Sequence, residues 1–419
     1  MTDIITSDAI DSLLGADAAT AVAALRNGRP VTLENAQASH AALFTADAAG
    51  ASLVEKLAIA VFTAQLHGDD AAAEFYAGLL AEAGGEASVT EALRTAARAA
   101  AGTGPYGDFP SEELAAFNQD GPELAASPAL VDAVGARLAT ALEHTHFLVF
   151  HPRDAVASRV AGLAQAGWSE DGIVTVSQLV AFLSFQLRVV AGLAVLAGAP
   201  RALAAPTDAV APTRPRVSAA PEPGSEPGAR PQRFTSAELS WVPWVEPVAA
   251  DALSEEQRDA LIDAARVKSP YFRLLSRDPG ILKHRTLTDK DIFYNTKTGL
   301  PRAERELAAA ATSRFNGCIY CASVHSRFAA HYSKRDADVQ RLLDEGVAGE
   351  QEPRWRAIID TAAALAQTPV AFDSANVAAL QGAGLTDEEV YDVVHAAAFF
   401  NWANRLMLSL GEPELPAAV

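Results

Sequence analysis

The sequence predicts an all-α protein: tandem helical domains joined by a Pro/Ala-rich linker. Three observations carry this. Half of the 419 residues are hydrophobic but only 7% are aromatic, and the apolar residues gather in long Ala/Leu runs. Such side chains lose little freedom in a helix. No stretch alternates apolar and polar residues convincingly with the period of two that a half-buried strand requires. Eight of the 23 prolines fall between Pro200 and Pro231, among Ala, Gly, Ser and Glu. That composition resists both helix and sheet.

The chain is long enough for two or three domains. The proline-rich stretch sets the boundaries: a first domain at 1–199, a disordered linker at 200–233, and a second domain at 234–419. Each domain is expected to hold its own core, so a cut in the linker is expected to break few buried contacts.

In chain order, residues 51–66 and 69–83 read as an antiparallel helix pair. Residues 103–128 are rich in Gly, Pro and Asp and read as loop. Residues 174–199 are apolar enough to suggest a membrane span, but Gln178, Gln186 and Arg188 interrupt them, so a buried core helix is expected. Trp241-Val242-Pro243-Trp244 reads as an extended arm, docked on a neighbouring surface or within its own domain. Helices are expected at 303–314, 318–332, 351–366, 374–383 and 387–410.

The two halves resemble each other as distant repeats. Ala166-Gly167-Trp168-Ser169-Glu170-Asp171 returns 217 residues later as Ala383-Gly384-Leu385-Thr386-Asp387-Glu388. At the same offset Phe182 matches Phe399 and Arg188 matches Arg405. Glu55 matches Glu306 at an offset of 251. The first half therefore holds about 34 extra residues, placed at 103–128.

The formal charge of −19 argues against nucleic acid or an anionic membrane as partner. Residues 1–8 show no basic region followed by an apolar one, so no secretory signal is expected and a cytoplasmic location is.

The only two cysteines are Cys318 and Cys321, in Asn316-Gly317-Cys318-Ile319-Tyr320-Cys321-Ala322-Ser323-Val324-His325. On a helix, positions 318, 321 and 325 share one face. Asn316-Gly317 is turn chemistry, placing Cys318 in the first turn of a helix, where the dipole favours thiolate. Three readings are open: redox chemistry, a metal site, or inert buried thiols. Zinc would need further ligands, and no second C-x-x-C or H-x-x-x-H stands in this half. No βαβ pattern surrounds the motif, against a thioredoxin fold.

Glu306 precedes Cys318 by twelve residues, completing E-x11-C-x2-C-x3-H. With Thr298-Gly299-Leu300-Pro301 upstream and Phe399-Phe400-Asn401-Trp402-Ala403-Asn404-Arg405 near the end, residues 234–411 resemble the AhpD-like alkylhydroperoxidases of the carboxymuconolactone decarboxylase superfamily. The resemblance implies a thiol-dependent peroxidase with a dithiol/disulfide cycle. Cys321 would be the peroxidatic thiol and Cys318, at the more exposed helix start, the resolving one. His325 would activate Cys321, and Glu306 would orient the histidine or move protons. Some relatives carry histidine between the cysteines; Tyr320 stands there instead and is a poor base near neutral pH.

The resemblance further implies a peroxide substrate, a lipoyl or thioredoxin-type dithiol reductant, no metal or organic cofactor, and a homo-oligomer. The alternatives are a decarboxylase-type lyase, and a non-enzymatic redox sensor or scaffold. The first half would be a degenerate copy, with His67, Asp70 and Glu74 standing where the cysteines and histidine stand in the second. Together with Glu55 these could form a metal site, but ordinary polar residues are the expectation. His144, His146 and His151 are expected in loop or core, and His395 in the core.

Overall fold

The computed structural model describes residues 8–45, 50–109, 111–204 and 230–416. The first half contains α1 (Ala9–Leu14), α2 (Ala16–Asn27), α3 (Pro30–Leu43), α4 (Leu53–Leu66), α5 (Asp70–Glu82), α6 (Ala87–Ala99), α7 (Pro128–Phe150), α8 (Ala157–Gln165) and α9 (Glu170–Leu196). The second half contains α10 (Glu255–Ala260), α11 (Pro270–Leu275), α12 (Pro279–Tyr294), α13 (Arg302–Asn316), α14 (Ile319–Ser333), α15 (Asp336–Glu345), α16 (Pro353–Ala366), α17 (Ser374–Gly382) and α18 (Asp387–Ser409).

Local chemistry sets many of the boundaries. Ser52 and Glu55 form a capping box at the start of α4, as Thr386 and Glu389 do for α18. Each pair satisfies backbone donors that the first turn leaves free. Two short strands do form, β1 (Ser240–Pro243) and β2 (Gly411–Glu414), paired antiparallel. At four residues each they are too short to show a periodic pattern. The tryptophan arm is thus β1, docked within its own half: Trp241 is buried and donates from Nε1 to the Met407 carbonyl at 3.1 Å.

From α3 to α9 the order of helices repeats from α12 to α18. The extra residues of the first half lie between α6 and α7, where the second half has only the short connection between α15 and α16. Two pairs of matching helices meet face to face: α3 packs on α12, and α9 on α18. This is a pseudo-twofold arrangement, with the axis passing through both contacts.

The α9–α18 contact is the centre of the molecule. Phe182 and Phe185 from α9 meet Phe399 and Trp402 from α18, with ring centroids 5.1–6.2 Å apart. The Trp402 indole donates to Gln178 Oε1 at 2.9 Å. Gly192 lets the helices close: a Cβ there would lie 2.5 Å from Val394 Cγ1.

Two buried arginines repeat the symmetry in polar form. Arg188 donates to the carbonyls of Leu365, Ala366 and Gln367 and to Thr368 Oγ1, at 2.7–3.2 Å. Arg405 reaches the Val149 carbonyl at 3.1 Å. Each long helix thus caps the end of a helix in the other half, where free carbonyls favour a cation.

One continuous hydrophobic core includes Ile10, Phe62, Phe182, Leu307, Trp402 and Leu410. Both halves contribute helices to this core, and each buries an apolar face on the other. Most of the expected linker, 205–229, lies outside the described residues. Its first residues pack on the first half: Ala204 donates its N–H to the Gly68 carbonyl at 2.8 Å. Among the described residues one helix, Glu170–Leu196, is long and apolar enough to cross a membrane, and 89% of its most apolar stretch is buried inside the protein.

Candidate active site

The α13–α14 hairpin builds the site. Gly317 ends α13 in the left-handed region (φ 88°), a conformation glycine adopts without steric cost. Cys318 caps α14, and Cys321 and His325 follow on one face of it. Glu306 lies within α13. Its side chain is wholly buried, and one carboxylate oxygen accepts from His325 Nδ1 and the other from Arg302 Nε, each at 2.5 Å. The edge of the His325 ring meets Phe400, with centroids 4.1 Å apart. The imidazole is therefore held in plane by a carboxylate and from the side by a ring.

Cys321 and His325 line a cavity of about 260 Å³, together with Glu306, Arg302, Tyr320, Phe293, Phe400 and others. Cys318 does not line it. The two thiols are free and buried, with Cys318 at 1% exposure and Cys321 at 4%. The expectation that Cys318 is the more exposed thiol at the helix start is corrected: Cys321 is the one that reaches the cavity. Burial pushes the Cys318 thiol well above its ordinary range, and the adjacent Cys321 thiol adds to this, against a weaker opposing hydrogen bond with Asn404. Desolvation thus outweighs the helix dipole expected to favour thiolate there.

The first half supports this hairpin from outside. Arg153 donates to the Phe315 carbonyl at 2.7 Å. Phe109 and Leu114, from the segment between α6 and α7, pack with Ile319 and Ala322 in a second small core.

The four-residue motif is brought together as the spacing predicted. Arg302, Tyr271, Arg285 and Asp289 were missed. Arg302 carried a signal, being four residues before Glu306 on the same helix. The others come from α11 and α12, far from the motif in sequence.

The first-half counterparts do not converge. Glu55 caps its own helix, Glu74 pairs with Arg94, and Asp70 accepts from Gln65 at 3.2 Å. His67 is not a solvated residue; it is buried, and burial holds it well below the ordinary histidine range. The α4–α5 turn is one residue longer than the α13–α14 turn, so Asp69, not His67, is the helix cap corresponding to Cys318. In that register Ala72 replaces Cys321 and Tyr76 replaces His325. Tyr76 is bonded to Gln186 and packed against His40 and Phe44.

His144, His146 and His395 are core residues of helices. His144 meets Ser177 Oγ at 3.1 Å, His146 donates to the Ala100 carbonyl at 2.9 Å, and His395 donates to the Tyr391 carbonyl at 3.0 Å. Among the described residues one group has metal-ligand spacing, Glu123, His151 and Asp154. Its atoms are already engaged: Arg159 holds Glu123 at 3.0 Å, and His151 bonds Asp154 at 2.9 Å and the Pro122 carbonyl at 2.7 Å.

Residues 279–364, from α12 into α16, match the model of the carboxymuconolactone decarboxylase family. The match lies entirely within the second half. The match covers the whole α13–α14 hairpin, hence Glu306, both cysteines and His325. No curated protein matches the chain. Among solved structures, an alkylhydroperoxidase AhpD core, an uncharacterized peroxidase-related protein from Ralstonia eutropha JMP134, is 25% identical; the likeness covers 39% of this chain and 88% of that one, with a TM-score of 0.35. An uncharacterized peroxidase-related protein from Silicibacter sp. TM1040 is 22% identical over 42% of this chain and 90% of that one, with a TM-score of 0.34.

Proposed function

We propose that this carboxymuconolactone decarboxylase family protein is a thiol-dependent peroxidase working through a Cys318–Cys321 disulfide cycle. The observation that carries the reading is the buried Arg302–Glu306–His325 chain, ending beside Cys321 at a cavity that Cys318 does not enter. A carboxylate fixed on both sides holds His325 in one tautomer, with Nε2 free to take the Cys321 proton. The thiolate attacks one peroxide oxygen: the S–O bond forms, the O–O bond breaks, and the leaving alkoxide takes a proton from His325. Cys321 is then a sulfenic acid. Cys318, shielded behind it, loses its proton and attacks the Cys321 sulfur, forming the disulfide and releasing water. A dithiol donor of lipoyl or thioredoxin type returns two electrons and two protons.

The test is thiol-dependent peroxide consumption with a recycling dithiol. Wild-type protein should turn over many times. Cys321→Ser should lose turnover by about a thousandfold or more. Cys318→Ser should accumulate a sulfenic acid at Cys321 that dimedone traps. A single reaction per molecule, with no recycling by any dithiol, would indicate a redox sensor. A sulfenic acid at Cys318 in Cys321→Ser would reverse the two roles.

A further inference from the structure

The cavity beside Cys321 is far larger than hydrogen peroxide needs, and its walls are uneven. Phe272, Phe293, Phe399, Phe400 and Met407 make it apolar, while Arg266, Arg285, Arg302, Asp289, Glu306 and His325 bring charge to it. Most of these charges are already answered. Arg302 and His325 share Glu306. Arg266 donates to Thr286 Oγ1 at 2.9 Å and faces Asp289 at 3.9 Å.

Arg285 is different. It is 5% exposed; its charge acts on the Asp289 carboxyl in the same cavity, yet among the described residues no carboxylate lies within 4 Å of it. Its one hydrogen bond is a long one, to Tyr271 Oη at 3.3 Å. Its Nε is buried without a partner. The guanidinium plane lies over Phe399 at 5.2 Å and Trp402 at 5.8 Å, contacts that steady the charge but satisfy none of its N–H donors. A buried guanidinium with open donors is costly unless an anion meets it. Tyr271, Arg285 and Cys321 line the same cavity, so the open guanidinium and the reactive sulfur face one space.

We propose that Arg285 anchors a carboxylate of the substrate, so the hydroperoxide taken here is a compact, apolar molecule carrying one acidic group. This rests on the peroxidase reading for the hydroperoxide and on Arg285 alone for the acid. The acid sits on the guanidinium in a forked pair of hydrogen bonds. The apolar body lies along the phenylalanines, and the hydroperoxide group points to Cys321 and His325. A volume of about 260 Å³, just under the range of roughly 300–1,000 Å³ that suits drug-sized ligands, fits one ring or a short branched chain.

Binding tests the acid subsite without turnover. Para-isopropylbenzoate and its neutral amide are titrated into the full chain by calorimetry. The acid should bind about tenfold more tightly, and Arg285→Met should abolish that preference while Arg285→Lys keeps part of it. Equal binding in the wild type, or a preference that survives Arg285→Met, overturns the assignment. Should Arg285→Met fail to fold, Asp289→Asn replaces it: loss of the carboxyl that shares the cavity should tighten acid binding, and no change overturns the proposal. In turnover, the para-carboxy derivative of cumene hydroperoxide should outpace cumene hydroperoxide in kcat/KM by a similar factor. If neither is consumed but the acid still binds, the peroxidase reading fails and the subsite stands. A charge preference seen only between dihydrolipoate and dihydrolipoamide would assign the acid to the reductant and overturn the proposal as stated.

Discussion

Glu306 is the residue on which the site turns. It is buried between one cation and one imidazole, and neither partner can be lost without leaving a buried charge uncompensated. Glu306→Gln should lower kcat/KM by about a hundredfold and slow iodoacetamide alkylation of Cys321 near neutral pH. Unchanged alkylation across pH would remove the residue from thiol activation. This part of the site was legible because sequence spacing maps directly onto a helical hairpin. Arg285 and Tyr271 were not: they stand 21 and 35 residues upstream of Glu306, and only the packing of α12 on α13 and α18, and of α11 on β1, brings them to the cavity. The shielding of Cys318 was also illegible, because it comes from Asn404 and the first half, not from its own helix.

At the scale of elements, the turn at Gly317 is the constraint closest to the site. A Cβ there would lie 2.6 Å from Arg153 Cγ, on a backbone that disfavours L side chains. Gly317→Ala should cost at least about 1 kcal/mol, read as a fall in Tm of roughly 2–4 °C per kcal/mol. An unchanged Tm would mean that Arg153 yields freely. The helices placed at 51–66, 69–83, 303–314, 318–332, 351–366, 374–383 and 387–410 were readable to within a residue or two because Ala/Leu runs meet clear caps such as Ser52, Thr386 and Gly317. The helix expected at 174–199 begins four residues earlier and ends three earlier, and the remaining helices carried no bounds in the sequence. The segment between α6 and α7 was readable only as loop. Nothing in its Gly/Pro composition shows that Phe109 and Leu114 cover the start of α14, since isolated apolar residues in a loop carry no period.

For the whole molecule, the pairing of α9 with α18 decides the behaviour. Cleavage at a protease site placed at Pro223 should leave two pieces that co-elute on gel filtration, because separation would expose Phe182, Phe185, Phe399 and Trp402. Two soluble, separate pieces would contradict this. Linker composition marks a boundary in the sequence; it does not report what its flanks touch. Acid should also unfold the molecule. Burial holds His40 and His395 down to about 4, His144 and His146 down to about 3, and His67 lower than usual. Below about pH 6.5 the unfolded chain takes up protons that the folded chain refuses, so stability falls as pH drops toward 4. The urea midpoint should decline steeply across that window. A flat profile between pH 6.5 and 4.5 would show that these histidines titrate normally in the fold.

The pseudo-twofold axis has a kinetic corollary. Where two identical subunits form such an interface, dilution separates them and any site that depends on the contact loses activity at nanomolar concentrations. Here both faces belong to one polypeptide, so their encounter is intramolecular and independent of dilution. The half bearing Cys321 never waits for a partner. The other half, which lacks the thiol-and-imidazole set, can change its own hairpin freely so long as α3 and α9 keep their fit. The exchange of a thiol-and-imidazole set for Ala72 and Tyr76 in the first half is what such relaxed constraint permits.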